Sequence, residues 1–279
     1  MVKNTRSIES GVSEAIGFML IFGMVIVGIG LVTLYGYPLL LQQQVSADEK
    51  IMEKNMIVLQ NDIKSLAYKT VPFKETSLKI GGGSLTVYNS SYSPPSSTIE
   101  IYDTTSTEYI PPFTPNTLFI PGELRYESVS SQTDISLQNG AVALRRHDVP
   151  GSVMLAEPRW FFDSKTNTMV INLINITSTN LMAKEGIGSV QMSLVGEPYY
   201  NETIFPANDL RLPLTLEYNI SHPEQDYSVA WDNYFTKTLN MQPILPITGS
   251  KREYILLPFS TTTEYRLVIK IFNVNIKSI

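Results

Sequence analysis

From residue 15 to residue 41 the chain reads AIGFMLIFGMVIVGIGLVTLYGYPLLL, a run with no ionisable side chain other than tyrosine. An apolar stretch of about 20 residues crosses the roughly 30 Å hydrocarbon core of a bilayer, and as a helix it satisfies its own backbone N–H and C=O groups there. The pattern predicts one membrane helix, with residues 15–37 doing the spanning. Pro38 has no N–H to give to the carbonyl of Leu34, so a kink is expected near the outer interface, where Tyr35 and Tyr37 suit the headgroup level. Past Pro38 the pattern changes period. Val45, Met52, Met56, Leu59, Ile63 and Leu66 recur at helical spacing, with Asp48, Glu49, Lys50, Glu53 and Lys54 elsewhere around the helix. One helix is therefore expected from Ser13 to Lys69, apolar in its first half and amphipathic in its second. It ends ahead of Pro72, which biases Val71 away from helical geometry.

Beyond Pro72 the period falls to two, with short runs punctuated by Gly, Pro, Ser and Asn. Residues 78–80 and 85–88 flank Gly81, Gly82, Gly83 and Ser84, which reads as a hairpin. A strand is expected at 97–102, preceded by an exposed loop at 90–96. Residues 108–121, with Pro111, Pro112, Pro115 and Pro121, cannot form a central strand and read as a crossing loop. Strands follow at 124–129, 134–137 and 141–145, the last two joined by an Asn139-Gly140 turn. The run 154–162 closes on Trp160, Phe161 and Phe162, and 169–176 is almost continuously apolar, the mark of a strand buried on both faces. Further strands are expected at 186–195, 212–219 and 252–257. Residues 265–276 alternate as a long half-buried strand.

One helix interrupts the strands, at 222–239. Ser221 and Glu224 have capping-box spacing, Pro223 lies in the first turn, and Tyr227, Ala230, Trp231, Tyr234, Phe235 and Leu239 share a face. Core packing is the favoured role for that aromatic stripe, with carbohydrate binding by Trp231 and Tyr234 as the other. The fold class is α+β: a long N-terminal transmembrane and amphipathic helix, then a mainly antiparallel β domain over 71–279 with one capping helix.

Composition narrows the function. Charged residues are 17% of the 279, the mean hydropathy is near zero, and the net charge is −5. No Lys/Arg block stands out except the pair Arg145-Arg146, so the electrostatic footprint of a nucleic-acid binder is missing. There is no cysteine, which removes disulfide scaffolds, thiolate metal sites and cysteine nucleophiles together. His147 and His222 both sit beside loop signals with no carboxylate spaced for metal ligation, and read as surface residues. No nucleophile elbow, zinc-protease motif, phosphate loop or dinucleotide fingerprint is present, and no cofactor is implied. Paired carboxylates in the β domain keep an enzyme as a minor alternative.

Lys3 and Arg6 precede the apolar run, and the first positive residue behind it is Lys50, which predicts a cytoplasmic N-terminus and an extracellular 42–279. Sequons at Asn89, Asn175, Asn201 and Asn219 are glycosylation candidates in an exported chain, though four are close to the number chance supplies. Within the membrane run, Gly17 and Gly28 lie about 20° apart around a helix, as do Gly23 and Gly30, and the two stripes fall on nearly opposite faces. Thinned faces of this kind suit a helix with neighbours on both sides. The alternative is the ordinary frequency of glycine in membrane helices.

Three processing outcomes follow from this N-terminus: an uncleaved anchor, secretory cleavage after Val45-Ser46-Ala47, or cleavage ahead of the apolar run. For the third, Gly11-Val12-Ser13-Glu14-Ala15-Ile16-Gly17-Phe18 and the helix behind it resemble archaeal type IV pilin-like proteins with class III signal peptides. PGELRYES (121–128), NGAVALRR (139–146) and GSVMLAEPRWFF (151–162) are similar to the outer domain of a large group of them. The resemblance implies cleavage by a prepilin peptidase between Gly11 and Val12, leaving 1–11 as leader, and assembly with other pilins through the retained helix. The pattern departs at Ser10, where a charged residue is common, and at Glu14, which would be mature residue three where bacterial pilins carry glutamate at five. Glu14 then reads as a carboxylate at the inner interface, stabilised by the helix N-terminus. The expected function is a non-enzymatic, pilin-like surface subunit, forming a filament or a minor part of one. The alternative is a single-pass anchored protein that binds a surface glycan or host ligand and never polymerises.

Overall fold

The computed structural model describes residues 6–69, 71–91, 97–104, 108–114, 118–221, 225–246, 249–256 and 262–279. Helix α1, Arg6–Leu31, passes through a π turn, Val32–Gly36, into α2, Tyr37–Tyr68. The expected disturbance at Pro38 thus takes the form of a widened turn directly ahead of the proline. The Tyr37 N–H reaches back to the carbonyl of Val32, five residues away, and Thr33 Oγ1 donates to the Ile29 carbonyl at 2.9 Å. Such local adjustment re-pairs backbone groups that a missing proline N–H leaves free. The chain divides into two compact units, Met1–Ala47 and Asp48–Ile279, so the amphipathic end of α2 belongs to the β-rich unit.

In that unit strands β1 (Phe73–Tyr88), β3 (Glu123–Ser128), β4 (Thr133–Gln138), β5 (Ala141–Arg146), β6 (Ser152–Ala156), β7 (Phe161–Asp163), β8 (Thr168–Ser178), β9 (Met182–Leu194), β10 (Tyr199–Phe205) and β14 (Tyr265–Ser278) form one ten-stranded sheet. The order is β6-β5-β4-β3-β1-β9-β14-β8-β7, with β10 also on β14. All pairings are antiparallel except β14 with β8. Strands β2 (Ser97–Asp103), β11 (Leu214–Ile220), β12 (Gln242–Pro243) and β13 (Lys251–Leu256) form a second antiparallel sheet, β12-β13-β11-β2.

Two cores lie on opposite faces of the large sheet. On one face Met52, Met56, Leu59, Ile63 and Leu66 of α2 are fully buried against Leu85, Val87, Leu124, Leu137, Ile176 and Ile276. On the other, the small sheet and α3 (Ser228–Asn233, continued by a π turn, Tyr234–Thr238) pack Tyr218, Trp231 and Phe235 against Trp160, Ile171 and Leu267. The adjacent residues Ala141, Val142 and Ala143 of β5 alternate between these cores, as a pleated strand requires. Residues 169–176 meet the expectation of a strand buried on both faces: Met169, Ile171 and Leu173 serve one core and Ile174 and Ile176 the other, with residues 171–174 buried without a break.

The sequence GGGS departs from expectation. It forms no hairpin: β1 runs through it, with a register shift against β9 between Ile80 and Leu85. The glycines serve close approach. A Cβ on Gly81 would stand 2.4 Å from Asp48 Cγ, and one on Gly83 would stand 2.3 Å from the carbonyl oxygen of Glu127. Tyr126 and Ser128 donate hydroxyl hydrogen bonds to the carbonyls of Gly81 and Gly82 at 2.5 and 2.6 Å. Asn139-Gly140, in contrast, is the tight β4–β5 turn expected, with φ of 49° and 71°. The helix expected at 222–239 starts at Ser228, whose N–H is held by Asp226 Oδ1 at 2.8 Å. The proposed capping residue Glu224, with His222 and Pro223, lies outside the described residues. Its aromatic stripe is buried throughout, so Trp231 and Tyr234 are core residues and present no sugar platform. Residues 108–114 and 118–121 bridge the outer edge of β2 through Ile99 with Phe119 and Tyr102 with Tyr109, covering an edge that would otherwise pair with other chains.

Candidate functional site

The first candidate is the surface of the N-terminal helix. Phe18, Met24 and Leu34 are 70%, 73% and 71% exposed, and large apolar side chains between Ile16 and Leu41 are exposed all round. The helix is long and apolar enough to cross a membrane, as a signal sequence also would be. Gly11 and Val12 both lie within α1, as does Glu14. An added Cβ at Gly17, Gly23, Gly28 or Gly30 meets nothing within 4 Å, so among the described residues nothing packs against the bare backbone at these four positions.

The three β segments that carry the resemblance come together in space. PGELRYES holds β3, NGAVALRR holds the turn and β5, and GSVMLAEPRWFF holds β6 and Trp160. Gly122 lies so close to the Ile176 carbonyl that a Cβ would stand 1.8 Å from its oxygen. Arg125, buried, pairs with Glu123 at 2.5 Å and Glu127 at 3.2 Å and lies over the Tyr88 ring. From α2, Gln60 Nε2 donates to the carbonyls of Gly140 and Glu157 at 2.7 and 3.0 Å, and Glu49 accepts from Arg146 at 2.7 Å. These segments therefore fasten the amphipathic helix to the sheet.

The four sequon asparagines are half-buried. Asn89, Asn175 and Asn201 donate their amide hydrogens to the Ser178 carbonyl, Asn273 Oδ1 and the Pro111 carbonyl, and Asn219 accepts from Ser250 at 2.8 Å. His147 is on the surface as expected, with Nε2 2.6 Å from Asp134 Oδ2, a pairing that strand register creates and sequence spacing hides. Among the described residues no group of three or more His, Asp or Glu is arranged to hold a metal.

A second candidate was not foreseen. A groove of 650 Å³ opens on the large sheet, lined by Tyr68 at the end of α2, Arg159, Phe161 of β7, Asn172 of β8, Tyr199 and Tyr200 of β10, and Lys270 and Phe272 of β14. Its residues come from five separate stretches of chain, so no local motif announces it. The Arg159 guanidinium lies 4.8 Å from the centre of the Tyr68 ring, and Lys270 Nζ 5.5 Å from that of Tyr200. Burial pushes the Tyr68 hydroxyl up to about 12, against a smaller opposing effect of Arg159. Burial, then the charge of Arg159, lowers the Lys64 ammonium.

No curated protein and no solved structure matches this chain. A family of unknown function, DUF7289, matches residues 11–247, and the chain belongs to that family.

Proposed function

We propose that this member of DUF7289 is a non-enzymatic, pilin-like surface subunit, held in the membrane and assembled with neighbouring subunits through the helix at 15–41. The observation that carries the reading is an exposed apolar helix with four glycines whose open backbone packs against none of the described residues, followed by a folded β domain. Leaving water is equally favourable in lipid and in a helix bundle, so hydrophobicity does not by itself select assembly. Close backbone approach at Gly17 and Gly28 on one face, and Gly23 and Gly30 on the other, supplies the selection.

Two measurements test this. Intact mass and N-terminal sequencing of the native protein should give a chain that begins at Val12 and retains residues 15–41; one beginning at Asp48 would make it a secreted protein. Replacing Gly23 and Gly30 together by leucine, at positions where an added Cβ meets nothing within 4 Å, should abolish filaments and leave membrane insertion intact. Unchanged filaments in that variant would remove the packing mechanism. Absence of the chain from native appendages would favour the anchored binding protein instead.

A further inference from the structure

We propose that the groove on the large sheet binds a uronic acid unit of an extracellular polysaccharide. The architecture creates it. On this face of the sheet, α2 covers the ends of β8 and β14 that carry Ile174, Ile176, Val274 and Ile276. The helix stops at Tyr68, and beyond it the same face carries Lys270, partly exposed, in register with the buried Asn172.

Two chemistries meet on that floor. Phe161 and Tyr200 are 45% and 55% exposed, two open aromatic rings at one concavity. The electron-rich faces of such rings suit the C–H face of a pyranose. Arg159 and Lys270 have no ion pair among the described residues, so both charges are available in a chain whose net charge is −5. The guanidinium can grip a carboxylate through two parallel N–H bonds. Its backbone is held in advance: the Arg159 carbonyl accepts from Asn172 Nδ2, and Trp160 Nε1 donates to the Asn172 carbonyl at 2.8 Å. The nearby carboxylate of Glu202 is already engaged by the Tyr200 hydroxyl and by Arg266 at 3.0 Å.

An acidic peptide is the competing anion, and the floor disfavours it. Peptides that bind sheets draw affinity from the free main-chain groups of an edge strand. Here β8 is paired to β14 and β7, and β14 to β8, β9 and β10, so these two central strands offer side chains only, and a free edge is left to β7 and β10 at the sides. The size fits as well, since 650 Å³ lies within the range of small-ligand clefts of about 300–1,000 Å³.

The test uses the full chain in detergent micelles, with trigalacturonate, triglucuronate, the neutral galactose trimer and hexaglutamate as probes in calorimetry. At least one uronate should saturate below about 10 mM, with the neutral trimer at least about tenfold weaker and hexaglutamate not saturating. Arg159→Gln and Tyr200→Ala should each weaken uronate binding at least about tenfold, while Lys237→Gln, exposed and away from the groove, leaves it unchanged. The proposal is overturned by no saturation with either uronate, by equal binding of the neutral trimer or of hexaglutamate, or by groove variants with unaltered circular dichroism and unaltered affinity. None of these outcomes depends on whether the chain polymerises.

Discussion

Three glutamates stand abreast on the small sheet, Glu100 of β2, Glu217 of β11 and Glu253 of β13, in direct register. Like charges on facing positions repel, and the fold answers with Lys251 Nζ at 2.9 Å from both Glu217 and Glu253, and with the Tyr102 hydroxyl, which donates to Glu253 at 2.5 Å and lies 3.3 Å from Glu217. Glu100 gains least from this. Burial and the charge of Glu217 raise its carboxyl above the ordinary 4.5, whereas Tyr102 and Lys251, against the effect of burial, hold Glu253 below it. A carboxyl raised in the folded state opposes folding once ionised: the penalty is absent below pH 4.5 and complete above the folded value. Glu100→Gln should therefore raise the melting temperature at pH 7, with the advantage fading as the pH falls to 4.5. Solvent reaches the half-exposed Lys251, so the gain is limited by screening to about 0.5 kcal/mol. Gly83→Ala should act more strongly, costing about 3 kcal/mol in thermal or denaturant unfolding, because its Cβ would meet the backbone oxygen of Glu127. Neither effect was legible in the sequence. Glycine after glycine reads as a turn by local rules, and what makes Gly81 and Gly83 obligatory is Asp48 and Glu127, distant in the chain.

Elements whose cause is local were legible. The seven-, four- and three-residue spacings from Val45 to Leu66 place one apolar stripe on α2, and the stripe from Met52 onward is the part that the structure buries. The Asn139-Gly140 turn follows from the left-handed conformations that those two residues tolerate. Strand β10 and the two short strands β7 and β12 went unread, since they are ordered by pairing with neighbours rather than by their own alternation. The stripe makes a contrast that can be measured. Leu59→Ala removes a fully buried side chain between α2 and the sheet and should cost about 3 kcal/mol. Val58→Ala, one residue away and 46% exposed, should change stability by less than about 0.5 kcal/mol. Equal losses at both positions would mean that α2 is not held by this face.

At the scale of the whole molecule the architecture class was legible, since a membrane-length apolar run followed by period-two segments admits few alternatives. The strand order was not, because β1 lies between β3 and β9, and β14 between β9 and β8, through contacts that no local pattern encodes. That order has a mechanical consequence. Strand β8 gives Met169, Ile171 and Leu173 to the core under the small sheet and Ile174 and Ile176 to the core under α2, and β14 divides Leu267 and Ile269 from Val274 and Ile276 in the same way. Neither core can open without disturbing strands that complete the other, so two hydrophobic clusters form one cooperative unit. The unit begins at Asp48, which with Glu49 ties the helix to Lys79 and Arg146. Residues 48–279 expressed alone should therefore give a soluble protein with a strand-dominated circular dichroism spectrum and a single melting transition seen alike by tryptophan fluorescence and far-ultraviolet signal. Trp160 and Trp231 both report the core under the small sheet, while the far-ultraviolet signal includes α2 on the opposite face. Two separated transitions would show that the cores melt independently and that sharing β8 and β14 does not couple them.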